Sequence, residues 1–166
     1  PRSVISIMAT AMPEVAFVPL PETETASSAR RAIERLDEKQ ERVNAYVVGP
    51  GLGNDESTDH LLSALFGFGG ATGRSLSGFG FGAEAAESVE PDSIFGKTNA
   101  PIVVDADGLN WLAKQPEWWK QVPAQRLVLT PHPMEANRLS DIPVDEIVSD
   151  PKGIAESLAK RWNQTV

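Results

Sequence analysis

Cysteine is absent from the 166 residues, which excludes disulfides, thiolate metal sites and cysteine nucleophiles. Histidine is scarce: His60 and His132 are the only two, too few for a histidine-rich metal centre. No apolar stretch approaches the roughly 18–20 residues that a membrane-spanning helix needs. There is no basic run either, and the formal net charge is −8. Affinity for a phosphate backbone comes from a basic surface, so nucleic acid is not expected as a partner. The start, Pro1-Arg2-Ser3-Val4-Ile5, lacks the layout of a signal peptide and has no initiator Met. The missing Met leads to the expectation that the chain begins inside a longer one. The missing cysteines fit a cytoplasmic location.

What is present is globular in texture. Hydrophobic residues make up 41% and charged residues 23%, and the length suits one domain. Val4, Ile5, Met8 and Met12 recur at helical spacing, which predicts a helix over about 2–12. Val15-Ala16-Phe17-Val18 reads as a short buried strand ended by Pro19 and Pro21. Residues 26–40 carry one thin apolar stripe (Ala29, Ile33, Leu36) on a charged helix. Three further apolar runs predict strands at 43–48, 101–104 and 126–129. Helices are expected after each, carried by Leu61-Leu62-Leu65-Phe66, by Leu109-Trp111-Leu112 with a second short one at 116–120, and by 134–139. A last helix begins near Asp150-Pro151 and carries Ile154, Leu158 and Trp162. A strand is expected to begin near Thr165-Val166. The four tryptophans are expected in the core or at an interface. Residues 67–82 repeat a Gly-Phe-Gly unit and predict a long flexible loop, the first site of proteolytic nicking.

Alternating strands and helices argue a parallel α/β sheet of about four strands. The strands are continuous apolar runs, as expected when both faces are covered. In such sheets ligands bind beyond the carboxyl ends of the strands. Three polar or glycine-rich turns fall there: Gly49-Pro50-Gly51-Leu52-Gly53, Asp105-Ala106-Asp107-Gly108 and Thr130-Pro131-His132-Pro133. The glycine turn opens a helix whose N-terminus offers free N–H donors, although it reads equally as a tight strand-to-helix turn. It is not a Walker loop, because no Gly-Lys-Ser/Thr follows. Asp105 and Asp107 are suited to a cation or to hydroxyls, and capping of the next helix competes with that role for one of them. His132 stands between two prolines on a stiff stem at an N-cap position. A lone histidine is more often structural, but the flanking prolines and the strand-end position favour function. Glu135 suits the first helical turn by charge alone. His60 is given no role.

Val48-Gly49-Pro50-Gly51-Leu52-Gly53, Val103-Val104-Asp105-Ala106-Asp107-Gly108-Leu109-Asn110 and Leu129-Thr130-Pro131-His132-Pro133-Met134-Glu135-Ala136, in that order, resemble the ADP/ATP-dependent NAD(P)H-hydrate dehydratases of the ribokinase-like superfamily. Met12-Pro13-Glu14-Val15 and Pro19-Leu20-Pro21 resemble the stretch that precedes them. The likeness runs over 12–139, apart from the glycine-rich loop. It implies a three-layer α/β/α fold with a mainly parallel sheet, of which only part is present, as one partial domain over 1–166. It implies a carbon–oxygen lyase of metabolite repair. ADP or ATP phosphorylates the ring hydroxyl of hydrated NADH or NADPH, the ring nitrogen's lone pair expels phosphate, and the nicotinamide is restored. By the same resemblance Gly51, Gly53 and His132 contact the hydrated nucleotide, Asp105 and Asn110 line the rim, and Glu135 helps indirectly to organise magnesium. A homo-oligomer is expected.

The family's Gly-Thr-Gly-Asp motif, which supplies the catalytic aspartate, does not occur here, and the Lys-Gly pair at Lys152-Gly153 lies before the helix of Ile154–Trp162 and so is not the family's nucleotide turn. No catalytic residue is therefore assigned, and the 166 residues are expected to be inactive alone. Two other readings share the rim: a vitamin or sugar kinase of the same superfamily, and a non-catalytic binding or assembly module.

Overall fold

The computed structural model describes residues 2–68 and 93–166. The expectation for the glycine-rich loop therefore falls, from residue 69 on, outside the described residues. Three short parallel strands form the sheet in the order β1 (Tyr46–Val48), β2 (Ile102–Val104), β3 (Leu127–Leu129). Their register aligns Tyr46 with Ile102 and Leu127, and Val48 with Val104 and Leu129. A fourth position joins beside β3: Leu129 N–H donates to Thr165 C=O at 2.9 Å, and Thr165 N–H to Leu127 C=O at 3.1 Å. The expected beginning of a strand at Thr165 is thus present as a single parallel bridge.

The helices are α1 (Arg2–Ala11), α2 (Ala26–Asp37), α3 (Glu56–Phe66), α4 (Ile94–Lys97), α5 (Asp107–Leu112), α6 (Pro133–Ser140), α7 (Val144–Ser149) and α8 (Pro151–Trp162). Their ends follow local chemistry. Thr25 and Ser28 form a capping box at α2, Asp55 caps α3 through the Thr58 amide, and Asp150 caps α8 through the Gly153 amide. Gly67 closes α3 in the left-handed region at φ +76°. A 3-10 turn at Trp118–Lys120 takes the place of the short helix expected over 116–120.

Strands that step in one direction with crossovers of one hand carry their connecting helices on one face. The core lies between that face and the helices. It joins Val48, Ile102, Val104, Leu127 and Leu129 to Leu62 and Phe66 of α3, Leu109, Trp111 and Leu112 of α5, and Leu158 and Trp162 of α8. Trp111, Trp118 and Trp162 are buried, as expected of core tryptophans, and Phe66 stacks on Trp111 at 5.6 Å. Phe68, from the first Gly-Phe-Gly unit, packs on Trp111 at 5.2 Å. This is the partial α/β arrangement expected of a ribokinase-like sheet.

Two expectations are corrected. The strands are not covered on both faces: Val47 is 69% exposed, and Val103 and Val128 are only partly buried. Residues 15–18 form no strand, and Val15 is exposed. An apolar run gains strand geometry only from a neighbour to pair with, and none lies beside this one among the described residues. The strand expected over 43–48 is likewise confined to 46–48, where β2 supplies partners.

Candidate functional site

Val48, Val104 and Leu129 are register partners and end their strands together. The turns that follow them therefore stand on one rim. The first two interlock through glycine. Gly49 has φ +128°, and a Cβ there would lie 1.8 Å from the Asp105 carbonyl oxygen. Gly108 faces it, and a Cβ there would lie 2.9 Å from the Val48 carbonyl oxygen and 3.2 Å from Gly49 Cα. Only hydrogen fits at either position. Between them, Asp105 N–H donates to Val48 C=O and Gly108 N–H to Asp105 C=O, each at 3.0 Å.

Beyond that junction the glycine turn divides in role. Gly51 has φ +75°, is exposed, and has nothing within 4 Å of the place a Cβ would take. Gly53 has φ +83°, and its N–H donates to Asp107 Oδ2 at 2.9 Å. Its amide is thus already engaged, and Gly51 is the glycine open to a ligand. Thr58 anchors the turn to α3 by donating from its hydroxyl to Leu52 C=O at 2.7 Å.

The aspartates divide as well. Neither side chain caps α5, although capping competed for one of them in the sequence. Asp107 bridges to the glycine turn instead. The half-buried Asp105 carboxylate has no hydrogen-bond partner among the described residues, so it can accept from a ligand hydroxyl. The residue between them, Ala106, sits at φ +48° and ψ −118°. Such a conformation costs an alanine on the order of 1–3 kcal/mol, and it re-aims the chain between the two carboxylates.

At the third turn His132 is the N-cap of α6, as its prolines imply. His132 Nδ1 accepts from Met134 N–H at 3.2 Å, and its own N–H donates to Glu135 Oε2 at 3.0 Å. The acceptor role of Nδ1 places the ring hydrogen on Nε2. Nε2 lies 3.2 Å from Glu135 Oε1. Histidine is more than half exposed while Glu135 is buried, so this reciprocal box presents an imidazole edge to solvent from a fixed base. No hydrogen bond joins His132 or Glu135 to the first two turns among the described residues. Asn110, one turn along α5, accepts from Arg138 Nη1 of α6 at 2.9 Å.

Magnesium is held by one or two carboxylates together with waters and phosphates. Among the described residues no three His, Asp or Glu side chains cluster to hold a metal ion. Both oxygens of Glu135 face His132, so Glu135 fits an ordering role for its turn rather than direct coordination. No helix of the described residues is long and apolar enough to cross a membrane.

Residues 77–166 match the family model described as NAD(P)H-hydrate dehydratase. The chain belongs to the NAD(P)H-hydrate dehydratase family. It is 30% identical over 98% of its length to a bifunctional NAD(P)H-hydrate repair enzyme, Nnr, of Moorella thermoacetica, covering 25% of that protein. It is 34% identical over 68% of its length to an ATP-dependent (S)-NAD(P)H-hydrate dehydratase of Pongo abelii, covering 26% of it. It is 30% identical over 77% of its length to an ADP-dependent (S)-NAD(P)H-hydrate dehydratase of Neisseria meningitidis, covering 34% of it. The chain thus spans a quarter to a third of the length of these dehydratases. No solved structure matches it.

Two cations on the rim of this dehydratase-family chain escaped sequence reasoning. Lys114 Nζ donates to Asn54 Oδ1 at 3.3 Å, and Arg138 holds Asn110 as above. Lys114 stands four residues beyond Asn110 and Arg138 one turn beyond Glu135, but their contacts cross 60 and 28 residues of chain.

Proposed function

We propose that the chain is the substrate-side portion of an NAD(P)H-hydrate dehydratase. It takes hydrated NADH or NADPH on the rim of its sheet for nucleotide-dependent dehydration. The observation that carries this reading is the shared strand register: three turns of the family's order start at one level, with an open glycine, a carboxylate unpartnered among the described residues and an exposed imidazole. Gly51 allows the nicotinamide nucleotide to approach the backbone, and Gly53 keeps the turn in shape through Asp107. Asp105 accepts from a hydroxyl, and Asn110 lines the same edge. His132 offers Nε2–H to a phosphate or carboxamide oxygen, exchanging its contact with Glu135 for a ligand.

ADP or ATP is the phosphoryl donor, consistent with relatives named for each. Magnesium bound with that nucleotide would neutralise charge on the transferring phosphate, and Glu135 would support it at a distance by ordering the His132 turn. The reaction passes the terminal phosphoryl group to the ring hydroxyl. Phosphate then leaves as the ring nitrogen's lone pair restores the conjugated ring. Residues 1–166 are one part of a ribokinase-like domain. The bare Val47 face supports that view, since a parallel sheet is ordinarily covered on both sides. A cytoplasmic homo-oligomer completes the reading. The family likeness favours it over a vitamin or sugar kinase.

The test is direct. NADH hydrate is titrated into the purified chain by calorimetry, and NADH absorbance is followed with magnesium and ATP or ADP. Binding without restoration of NADH is expected, because no residue here matches the family's catalytic aspartate. Absence of binding would remove the substrate-side reading. Restoration well above the no-protein rate would show that catalysis does not need that aspartate.

A further inference from the structure

Beside the rim lies an open cleft of about 530 Å³, lined by Asn54, Asn110, Ala113, Lys114 and Arg138. Its ionisable lining is entirely cationic, in a chain of net charge −8. Some cations elsewhere, Arg35, Lys97, Lys120 and Lys152, pair with carboxylates, and others do not. Among the described residues Lys114 and Arg138 pair with none. Each is held by an amide oxygen, Asn54 Oδ1 at 3.3 Å and Asn110 Oδ1 at 2.9 Å. An amide oxygen orients a cation without neutralising it. Acids near the cleft are turned to other work: Asp55 accepts from the Thr58 amide, Asp107 from the Gly53 amide and Asp59 from Trp111 Nε1, while Glu117 pairs with Lys120 and Glu135 faces His132. The cleft therefore holds two oriented positive charges without a counter-ion among the described residues. It adjoins the rim, since Asn54 directly follows Gly53 and Asn110 lies on the helix that Asp107 begins.

We propose that this cleft is a phosphate subsite, in which Lys114 and Arg138 take a nucleotide phosphate while the turns hold the nicotinamide end. The identity of that nucleotide rests on the repair reading above, whereas the affinity of the cleft for phosphate does not. A phosphate oxygen replaces the neutral acceptors of two cationic donors with an anionic one, adding charge–charge attraction to each hydrogen bond. Arginine adds a planar fork suited to two phosphate oxygens.

The test uses the whole chain, four probes and calorimetry at low and high salt. The probes are inorganic pyrophosphate, NADH, NADPH and nicotinamide riboside, which has no phosphate. Lys114→Gln with Arg138→Gln should weaken pyrophosphate and NADH by about tenfold or more at low salt, and flatten their salt dependence. Nicotinamide riboside should bind as before, and Lys152→Gln should change nothing. Arg138→Lys, with its charge kept, should recover most of the loss in the Lys114 wild-type background, which separates charge from folding. A larger loss for NADPH than for NADH assigns the cleft to the 2′-phosphate, and equal losses assign it to the diphosphate. Unchanged pyrophosphate and NADH affinity in the double variant overturns the proposal, as does failure of the wild-type chain to bind either. Pyrophosphate binding that depends on both cations, in a chain that ignores NADH hydrate, keeps the subsite and removes the repair reading.

Discussion

The two ends of the same three strands use their polar groups in opposite ways. At the amino end they are consumed by structure. Arg126 donates to the Thr98 and Ala100 carbonyls and lies over the Phe95 ring, and burial lowers its pKa. Buried Gln164 accepts from the Arg126 and Leu127 amides and donates to Pro123 C=O, while Lys97 pairs with Asp37. At the carboxyl end backbone shape is fixed by glycine, and among the described residues groups are left with capacity to spare: Asp105 without a partner, Lys114 and Arg138 without counter-ions, and Gly51 facing open space. A protein that turns most polar side chains at one end of its sheet to structure and leaves accessible ones spare at the other marks where a ligand completes the hydrogen bonding.

The largest effect should come from breaking the glycine junction that shapes the carboxyl end. Gly49→Ala places a methyl 1.8 Å from a backbone oxygen at φ +128°, so neither rotamer nor side-chain motion relieves it. A loss above about 3 kcal/mol is expected, enough to prevent folding of a marginal domain. A melting temperature within a degree or two of wild type would mean the two turns are not locked together. Next in size is the amino end. Gln164→Ala leaves two strand amides and a carbonyl without their partner, at a cost of roughly 2–3 kcal/mol. Urea unfolding should record that loss while affinity for NADH stays unchanged. Weakened NADH binding at full stability would dissolve the division between the ends.

His132 sharpens the comparison, because it serves both structure and rim. Its capping bond makes His132→Ala cost about 1 kcal/mol, by the usual value of an N-cap. His132→Asn keeps a cap and removes the imidazole. If the imidazole contacts ligand, both variants should weaken hydrate binding about tenfold, but only alanine should lower the melting temperature. Asparagine with wild-type affinity would leave His132 a cap and nothing more.

The sheet and its rim were legible because parallel strands buried on the helix side are short apolar runs, and each ends in a turn of distinctive chemistry. The cap at His132 and the helix start at Asp150 were legible for a similar reason, since the capping residue and its helix are neighbours in sequence. Residues 15–18 misled because strand formation depends on a partner that composition does not reveal. Val47 misled because an apolar residue says nothing of whether its side of the sheet is covered. Lys114, Arg138 and Gln164 were invisible for another reason. Their roles come from contacts across 28 to 60 residues of chain, and nothing local distinguishes them from surface polar residues.

The smallest effect tests an unsatisfied group on the strands at the amino end, where Arg126 Nε is also buried without a partner among the described residues. The Tyr46 hydroxyl is buried without a hydrogen-bond partner among the described residues. Its pKa is raised above the usual 10.0, first by burial and then by the charge of Asp37. A raised folded pKa means that the folded state holds the phenol proton more tightly than the unfolded chain does. The stability linked to that proton is fully present below pH 10 and is lost as pH rises through 10 toward the folded value. Tyr46→Phe should therefore leave stability at pH 7 within about 0.5 kcal/mol of wild type, because no hydrogen bond is lost. Above pH 10 the variant should lose less stability than wild type, and the difference between the two denaturation curves should grow with pH. Parallel curves from pH 8 to 11 would mean that the phenol reaches solvent or finds an acceptor. In that case the amino end would hold no unsatisfied group on its strands, and the contrast with the rim would be sharper still.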